Sequence, residues 1–376
     1  MYTDFSYGIN MPTGGTQRYL ELIYGFIEKG IIVHLFIPKE AEINNNGYLI
    51  RHNIKKCAVS SFIIPNGLLN FLLNIKTLWS IQKINYDAII SFDVPCSINF
   101  SLLRLKRVFI FIRQDLIGCR KISIGSDNII KKFYLYVLKR LERTVILHTH
   151  RIIVQCEYDK DVLLKRHRRQ KAMIKEKIFI INNNVNPSWI KSTVRIYKKG
   201  LKNRNIKLAF VGDLNDPRKG LDILLGAVSI LLDEGERLSL HVIGGGQNLD
   251  YYRKQNKNRA NIKYWGRLKN PLQVTNECDL LVVPSRADSF PNTIIEAFYL
   301  ELAVIGSNVG GIPEMLKYED LIFSPNVADL VIKLRDIIHT GKLELYREYS
   351  RKRKKELTFD WVERVFELIR LNIAIE

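Results

Sequence analysis

Two carboxylate residues, Asp288 and Glu296, stand eight positions apart in a setting that suits a phosphorylated sugar ligand. An apolar run ending at Val283 predicts a buried parallel strand, residues 284–292 a loop, and the residues from Thr293 onward a helix. Free backbone N–H groups at a helix start, with the positive end of the helix dipole, favour a bound diphosphate. Because helical side chains point toward the N-terminus, Glu296 in the expected first turn can accept hydrogen bonds from sugar hydroxyls.

The same residues allow a purely structural interpretation. Thr293 to Glu296 matches a capping box, in which the Glu296 carboxylate binds the helix start instead of a ligand. An acid in a loop, such as Asp288, is in most proteins simply solvated. Both interpretations remain open from these residues alone.

The segment resembles the acid-x7-acid signature of the group 1 glycosyltransferases, the retaining GT-B enzymes of family 4. A following turn with Gly310, Gly311, Pro313 and Glu314 is similar to the GGxPE element of that family. The first acid is Asp288 here, where the family more often has Glu. The resemblance implies a donor sugar at this loop and helix, and it assigns catalytic roles to Asp288, Glu296 and Lys219.

The stretch from Phe210 to Gly220 resembles the first strand, loop and helix of the donor domain in that family. There an Arg after the strand glycine and a Lys before the second glycine hold the diphosphate. Lys219 matches the Lys, but Asp213 stands where the Arg is expected. Arg218 is the candidate for the missing charge, because a guanidinium can donate two hydrogen bonds to a diphosphate. The alternative is an ordinary solvated pair of basic residues at a helix start.

Glycine-rich turns resemble further donor contacts of the family. Gly14 and Gly15 match its GGxxR element before the first helix, Gly244 opens a glycine triplet after a strand, and Arg267 stands where the nucleotide base is contacted. Each segment is also compatible with an ordinary turn. The donor-binding residues implied are Gly14, Gly15, Gly212, Arg218, Lys219, Gly244, Arg267, Asp288, Ser289, Phe290, Pro291, Asn292, Thr293 and Glu296.

The resemblance is incomplete in the first half, where the family often has a His after a central strand. This chain has Arg113, Gln114 and Asp115 there, so a histidine role cannot be transferred. Arg18, Gln114 and Asp115 are the acceptor-side candidates. Retaining transfer in the family needs little from protein bases, since the leaving diphosphate can take the acceptor proton. The resemblance implies no metal and no cofactor besides the nucleotide diphosphate sugar, which is the donor substrate.

Length and patterning predict two α/β domains. The chain of 376 residues alternates short apolar runs with amphipathic helical patterns in each half. The predicted fold is GT-B, with two Rossmann-like doubly wound domains facing a cleft. The expected parts are an N-terminal acceptor-binding domain (1–190), a linker (191–205), a C-terminal donor-binding domain (206–357) and a helix (358–376) that returns to the first domain.

Eleven apolar runs predict the strands of these two domains. They are residues 31–37, 88–92, 107–112, 151–156, 177–182, 206–212, 238–244, 262–266, 279–285, 302–307 and 320–324. Residues 1–6 leave only a short stub for the usual first strand. Residues 183–186, Asn-Asn-Val-Asn, resemble the NGVD turn at the end of the first domain.

Net charge is the most telling feature of the composition. The whole chain carries +20, and residues 101–200 hold 24 Lys and Arg against 7 Asp and Glu, a net of +17. With no signal peptide and no long charge-free apolar run, the sequence predicts a cytoplasmic protein. The basic stretch predicts peripheral contact with an anionic inner membrane surface, with Phe133, Tyr134, Tyr136 and Leu138 as inserting side chains. A solvated basic surface, with these four in the core, is the alternative.

Two metal-like patterns carry little weight. Asp159-Lys160-Asp161 is a DxD, but it stands at a helix start where acids are ordinary. His148 and His150 lack a third ligand at recognisable spacing.

The predicted activity is transfer of a sugar from a UDP- or GDP-sugar to a hydroxyl of a lipid-linked or other saccharide, in bacterial surface polysaccharide assembly. A nucleotide-sugar 2-epimerase of the same fold and a basic nucleic-acid-binding protein are the alternatives. The second is disfavoured because no aromatic residues interleave with the basic run 165–169. Donor sugar, nucleotide base, linkage and oligomeric state are not readable from the sequence.

Overall fold

The computed structural model describes residues 14–38, 47–54, 66–124, 129–186 and 205–374, and helices and strands are numbered along these ranges. The chain divides into two compact units. Unit 1 consists of Met1–Ile181 with Asp360–Glu376, and unit 2 of Asn182–Phe359. The expected first strand (1–6) and nearly all of the expected linker (191–205) lie outside the described residues.

Unit 1 is built on parallel strands. Its described strands are β1 (Val33–Pro38), β2 (Leu49–Ile54), β3 (Ile89–Phe92), β4 (Val108–Ile112), β5 (Arg151–Val154) and β6 (Ile178–Ile180). β1 pairs in parallel with β2, and the other four form a parallel sheet in the order β3-β4-β5-β6. All of β4 is buried, as expected for a strand of the parallel sheet with helices on its faces.

Helices cover the strands of unit 1. They are α1 (Gly14–Glu28), α2 (Asn66–Trp79), α3 (Val94–Leu102), α4 (Leu116–Ile124), α5 (Ile129–His148), α6 (Glu157–Arg166), α7 (Lys171–Lys177) and, from the C-terminus of the chain, α15 (Trp361–Ile373). Buried side chains of α3, α5 and α6 pack on alternate residues of β4 and β5, among them Ile110 and Ile152. This packing forms one core cluster of the unit, and a second one surrounds Phe36, Leu78 and Phe100.

The C-terminal helix belongs to unit 1, the part of the chain to which it was predicted to return, and it packs there on the first helix. α15 begins after Asp360, whose carboxylate accepts the Glu363 N–H over 2.8 Å as a helix cap. Gly25 in α1 leaves room for Val362, because a Cβ at Gly25 would lie 2.6 Å from the Val362 Cγ1. The apolar stripe of α15 therefore packs against α1 within unit 1.

Unit 2 contains the larger described sheet. Its strands are β7 (Ile206–Val211), β8 (Leu238–Ile243), β9 (Ile262–Gly266), β10 (Leu280–Val283), β11 (Ala303–Ser307) and β12 (Ile322–Phe323). They are parallel and lie in the order β12-β11-β10-β7-β8-β9. The chain order thus reverses between β7 and β10. In doubly wound sheets, ligands bind at the carboxyl ends of the strands at such a switch point.

The helices of unit 2 alternate with its strands up to β12, and two consecutive helices follow that strand. They are α8 (Leu221–Asp233), α9 (Leu249–Gln255), α10 (Pro271–Asn276), α11 (Asn292–Tyr299), α12 (Ile312–Leu316), α13 (Val327–Thr340) and α14 (Leu343–Leu357). This alternation confirms the predicted α/β architecture. Throughout the part of the chain that the structure describes, no helix is both long and apolar enough to cross a membrane.

Each of the eleven apolar runs corresponds to a strand of the structure. One further strand, β2, was not predicted. β2 has the sequence Leu-Ile-Arg-His-Asn-Ile, and its two end residues, Leu49 and Ile54, are its buried positions. A short strand with polar side chains in its middle has neither the alternation nor the continuous apolar run that identifies strands.

Candidate active site

The carboxyl ends of β7 and β10 bring two loops together at the switch point of unit 2. Leu208 and Ala209 of β7 pair in register with Leu280 and Leu281 of β10. A short 3-10 helix, Pro217–Lys219, follows β7, and the signature loop follows β10. The sheet topology therefore places the predicted phosphate-binding turn beside the predicted sugar-binding loop.

Lys219 and Asp288 meet at this edge of the sheet. The Lys219 Nζ donates to the Asp288 Oδ2 over 2.6 Å, and the two side chains keep 29% and 17% of their surface exposed. The pair joins the loop after β7 to the loop after β10. Because solvent reaches both groups, a phosphate can replace the carboxylate on the lysine without leaving an unpaired buried charge.

Arg218 is held within its own turn. The Asp216 carboxylate accepts the Arg218 backbone N–H over 3.1 Å and caps the 3-10 helix. The Arg218 guanidinium donates to the same carboxylate through Nε at 2.9 Å and through Nη2 at 2.5 Å. The Nε and Nη2 groups of Arg218 are therefore directed to Asp216, whereas Lys219 points across to the neighbouring loop.

Glycines permit a close approach of the turns after β7, β8 and β9. Gly244 has a φ of +151°, and a Cβ there would lie 1.8 Å from the Gly212 carbonyl oxygen. The Gly244 N–H donates to the Gly266 carbonyl oxygen over 2.9 Å. The next residue, Arg267, lies with its Cβ 3.1 Å from the position of a Cβ on Gly245. Three predicted donor-binding residues, Gly212, Gly244 and Arg267, thus share this edge of the sheet.

The turn that resembles GGxPE holds the backbone of Asp288. Gly310 has a φ of +59°, and a Cβ there would lie 1.7 Å from the Asp288 carbonyl oxygen. That carbonyl oxygen also accepts the Gly311 N–H over 3.1 Å. Only a glycine fits this contact, so the glycine pair fixes the height of the Asp288 loop above the sheet.

The helix after the signature loop begins one residue earlier than predicted. α11 starts at Asn292 after Pro291, and no side chain caps it. Glu296 therefore lies in the second turn, and the prediction of a first-turn position is wrong. The capping-box interpretation is also wrong, because Thr293 is the second residue of the helix and not its cap.

The signature loop itself is mostly packed inward. Ser289 and Phe290 are 2% and 4% exposed, and Pro291 is also buried. This burial leaves chiefly the backbone groups of these three residues for a ligand. Asn292, Thr293 and Glu296 are half-buried, so their side chains remain accessible.

Arg286 braces the start of the loop, a role that the sequence did not reveal. Its guanidinium donates to both Asp222 oxygens, at 2.8 Å and 2.5 Å, and to the Pro217 carbonyl oxygen at 2.9 Å. These hydrogen bonds lower the pKa of the Asp222 carboxyl. The Arg286 N–H also donates to the Arg218 carbonyl oxygen over 2.6 Å. The predicted phosphate-binding turn and the predicted sugar-binding loop are thus linked by Arg286 as well as by Lys219 and Asp288.

Asn183 joins the site from an unexpected part of the chain. The sequence placed residues 183–186 at the end of the first domain, but the structure assigns them to unit 2. The Asn183 Nδ2 donates to the Asn292 Oδ1 at 3.1 Å and to the Phe290 carbonyl oxygen at 3.4 Å. Asn183 is 3% exposed, so these bonds are shielded from water and hold the start of α11.

The acceptor-side candidates lie in unit 1. Gly14 and Gly15 form the first residues of α1, where the helix was expected only near Thr16. Arg18 is 2% exposed, pairs with Glu21 at 3.1 Å and stacks on the Trp361 ring at 5.5 Å from its centroid. In this structure, Arg18 therefore contributes to the packing of α15 on α1, and its acceptor role stays a prediction.

Asp115 is bound by a neighbouring helix. Its carboxylate accepts the Gly118 N–H over 3.0 Å and forms an ion pair with Arg166. Gln114, the preceding residue, is half-buried at the carboxyl end of β4. The structure thus places Gln114 and Asp115 at the strand end where they were expected, with the Asp115 charge already compensated.

Asp93 is a residue that the sequence did not single out. It follows β3 with a φ of +64°, which is strained for a residue with a Cβ. Its carboxylate accepts the Arg113 N–H at 3.2 Å and Nε at 3.0 Å, and the Arg113 guanidinium stacks 4.6 Å from the Tyr19 ring centroid. Strain held by an ion pair at a strand end is typical of a functional position.

Known proteins match the chain over this same site. The family model described as "Glycosyl transferases group 1" matches residues 205–340, which hold Lys219, Asp288 and Glu296. The O-antigen biosynthesis glycosyltransferase WbnH of Escherichia coli is 24% identical over 339 residues, 90% of each chain. The chain is a glycosyltransferase whose residues 205–340 are similar to group 1.

Solved structures show the same fold for this glycosyltransferase. Sucrose-phosphate synthase from Thermosynechococcus elongatus has a TM-score of 0.75 at 16% identity, over 97% of this chain and 94% of that one. Anabaena HepE in complex with UDP and glucose has a TM-score of 0.68 at 13% identity, over 98% of each chain. The fold is GT-B, as predicted.

One residue of each metal-like pattern contacts a neighbouring group of the protein. Asp159 is 2% exposed and accepts the Cys156 thiol over 3.3 Å. His148 lies on the surface of α5 with its Nδ1 2.8 Å from the Thr144 carbonyl oxygen. Within the described ranges, no three His, Cys, Asp or Glu side chains are grouped as a metal site would require.

Proposed function

We propose that this glycosyltransferase moves a sugar, with retention of its anomeric configuration and without a metal, from a UDP- or GDP-sugar to an acceptor hydroxyl. The acceptor is a lipid-linked saccharide in bacterial surface polysaccharide assembly. The protein acts as a peripheral enzyme on the cytoplasmic face of the membrane. The single observation that carries the proposal is the contact of Lys219 with Asp288 at the switch point of unit 2.

The Lys219 ammonium suits the diphosphate of the donor. It stands at the strand end where Gly212 and Gly244 remove side chains, so a phosphate oxygen can approach the backbone. Binding of the diphosphate exchanges one anionic partner of the lysine for another, which costs little desolvation. The freed Asp288 carboxylate can then accept a hydroxyl of the donor sugar, next to Glu296 on the following helix.

The reaction needs positioning and charge stabilisation more than a protein base. As the glycosidic bond to the diphosphate breaks, negative charge develops on the leaving oxygen, and Lys219 stabilises it. The same diphosphate oxygen takes the proton of the acceptor hydroxyl, which attacks from the face that the diphosphate leaves. Retention follows from this geometry. Asp288 and Glu296 hold the sugar so that its anomeric carbon faces the acceptor.

Relatives support the substrate classes. WbnH carries the name of an O-antigen biosynthesis enzyme, and the structure of HepE was determined with UDP and glucose. The first supports a surface polysaccharide as product, and the second supports a nucleotide sugar as donor. The cations of the donor site take the role that a metal has in other transferases, so activity is expected in excess EDTA.

Transfer from labelled donors to membrane lipid tests the proposal. Purified protein is incubated with a lipid extract of bacterial membranes and UDP-glucose, UDP-galactose, UDP-N-acetylglucosamine or GDP-mannose, each carrying a labelled sugar. We expect label in the lipid fraction from one or two donors, with an axial donor bond giving an axial product bond by NMR. Conversion of a donor into its epimer with no label in lipid would instead establish the 2-epimerase, and an inverted linkage would overturn the retaining mechanism.

A further inference from the structure

A concave basic surface lies on unit 1. It is formed by the second half of α5, the end of α6 and the turn that follows, and it encloses about 530 Å³. Small-molecule sites have volumes of about 300 to 1,000 Å³. We call it the basic pocket. Its cationic side chains at the rim are Lys139, Arg140, Arg143, Lys165, Arg168 and Arg169.

The floor of the basic pocket is neutralised by buried acids. Arg166 donates to both Glu142 oxygens at 2.9 Å and 3.1 Å and also pairs with Asp115. His167 lies with its Nε2 2.7 Å from the second Glu142 oxygen, and Glu142 is 1% exposed. This fully bonded network fixes the backbone of the turn from which the outer cations project.

The six rim cations have no such compensation. Within the described ranges none of them forms an ion pair with a carboxylate. Arg140 donates from Nε to the Tyr136 hydroxyl at 2.9 Å. The Arg143 Nε is buried and has no acceptor among the described residues. Six like charges around one concavity repel each other, so a multivalent anion that enters it relieves that repulsion.

An apolar ridge continues from the basic pocket along α5. Ile129, Ile130, Phe133 and Tyr136 are 83%, 52%, 58% and 53% exposed, and Tyr136 also lines the pocket. Ile129, Phe133, Tyr136, Arg140 and Arg143 follow one face of the helix at helical spacing. The helix is therefore apolar at its start and cationic at its end on the same exposed face.

Two of the inserting side chains expected from the sequence belong to the core. Tyr134 and Leu138 are 9% and 3% exposed, so their predicted insertion into a membrane is wrong. They lie on the opposite face of α5, because residues one and two positions apart do not share a helix face. The exposed isoleucines at the helix start take their place.

We propose that the basic pocket binds the phosphate of an anionic lipid headgroup while the apolar ridge enters the same bilayer surface. Arg140, Arg143 and Arg168 can each donate two hydrogen bonds to phosphate, and Lys139 and Lys165 add point charges. An amphipathic helix of this kind lies in the interface with its apolar residues among the acyl chains. The membrane location stated under the proposed function gives this site its ligand, but donor binding is independent of it.

The ridge favours a lipid over a nucleic acid. Single-stranded nucleic acid is held by aromatic side chains on which bases stack, at a groove that follows the backbone. Here two of the four ridge residues are isoleucines, which have no face for stacking, and Tyr136 is engaged by Arg140. Exposed aliphatic side chains next to unpaired cations fit an interface of acyl chains and phosphates.

Vesicle sedimentation with matched charge variants tests the proposal. The pocket variant changes Lys139, Arg168 and Arg169 to Gln, and the control variant changes Lys76, Lys83 and Lys106, exposed residues of unit 1 outside the pocket. Vesicles contain phosphatidylcholine with phosphatidylglycerol, or phosphatidylcholine alone. Three basic contacts are worth about a hundredfold in affinity for anionic membranes. We expect about that loss for the pocket variant and less than about threefold for the control, because distant charges are screened.

Three outcomes would overturn the proposal. Equal losses in the two variants would mean that binding follows net charge and not the pocket. Unchanged binding to vesicles after Ile129→Ser and Phe133→Ser would show that the apolar ridge does not enter the bilayer surface. Displacement from vesicles by inorganic diphosphate or by single-stranded RNA, at concentrations below that of the lipid phosphate, would assign the pocket to a soluble anion. Thermal stabilisation by UDP, measured on the same variants, reports the donor site separately and also verifies that they are folded.

Discussion

The Lys219 ammonium and the Asp288 carboxylate form an ion pair of 2.6 Å between the loops that follow β7 and β10. Both residues were expected to hold the donor, one through phosphate and the other through a sugar hydroxyl. Their mutual contact means that protein groups alone hold the two loops together, with each charge compensated by the other. Under the proposed function, donor binding replaces this ion pair by two contacts to the ligand, which is a form of preorganisation.

Gly310 sets the position of the Asp288 loop, and Gly310→Ala tests that role. The new Cβ would stand 1.7 Å from the Asp288 carbonyl oxygen at a φ of +59°. We expect the free energy of unfolding to fall by about 2 kcal/mol or more, from overpacking and backbone strain together. Turnover should also fall by at least about tenfold, since small displacements of a catalytic group are costly.

Gly235→Ala is the matched control for this change. Gly235 has a φ of +85° but no atom within 4 Å of a Cβ. The free energy of unfolding of the Gly235→Ala variant should fall by only about 1 kcal/mol, because of backbone strain alone. Its turnover should not change. Chemical denaturation and steady-state kinetics of the two variants give both quantities. Equal turnover in the two variants would show that Gly310 does not set the position of the Asp288 loop.

Glu296→Gln tests the second acid of the signature. Gln keeps the shape of Glu296 and most of its hydrogen-bonding capacity without the charge, so the free energy of unfolding should fall by no more than about 1 kcal/mol. Turnover should fall by at least about tenfold, equivalent to about 1.4 kcal/mol of transition-state stabilisation. Glu301→Gln, just beyond the end of the same helix, is the control, because its carboxylate pairs with Lys354 and Arg351. Normal turnover by the Glu296 variant would show that this carboxylate does not contact the donor.

Asn183→Ala tests the buried amide that holds the start of α11. Loss of its bonds to Asn292 and Phe290 should raise the KM for the donor by about threefold to tenfold, since each bond contributes about 0.5–1.5 kcal/mol. Asn184→Ala is the control from the neighbouring position, and it removes a bond to the Phe359 carbonyl oxygen at 2.7 Å. If both variants change the donor KM equally, Asn183 has no specific role at the loop.

Asp93→Asn tests the strained pair of unit 1. The amide keeps the shape of the side chain but weakens the ion pair with Arg113. We expect transfer to acceptor to slow by at least about tenfold, because the charge that orients Arg113 is lost. Stabilisation by UDP should be unchanged. A parallel loss of UDP binding would show general unfolding and not an acceptor-side role.

The sequence was sufficient for the framework of the donor site. Its strands are continuous apolar runs, and parallel strand ends must share one edge, so the proximity of Lys219 and Asp288 was predictable in outline. The sequence did not reveal their direct contact, because a side chain pairing across 69 positions has no local signal. For the same reason the hydrogen-bond partners of Arg286 and Asn183 could not be predicted from the sequence.

Errors were concentrated where neighbouring positions differ in burial. The start of α11 was misplaced by one residue, which moved Glu296 out of the first turn and removed the capping box. Tyr134 and Leu138 on α5 were taken for surface residues, although Phe133 and Tyr136 beside them are exposed. Composition alone cannot separate the two faces of such a helix.

Calorimetric titration of the nucleotide tests the central claim most directly, since the claim is that Lys219 holds the diphosphate of the donor without a metal. UDP, GDP and uridine are titrated into wild type, Lys219→Ala and the exposed control Lys254→Ala, all in excess EDTA. We expect one of the two nucleoside diphosphates to bind to wild type and to the control variant. Lys219→Ala should raise the Kd of this diphosphate by at least about tenfold. The Kd of uridine should change by less than about twofold. Equal weakening of diphosphate and nucleoside, or binding that appears only when Mg²⁺ or Mn²⁺ is added, would contradict the claim.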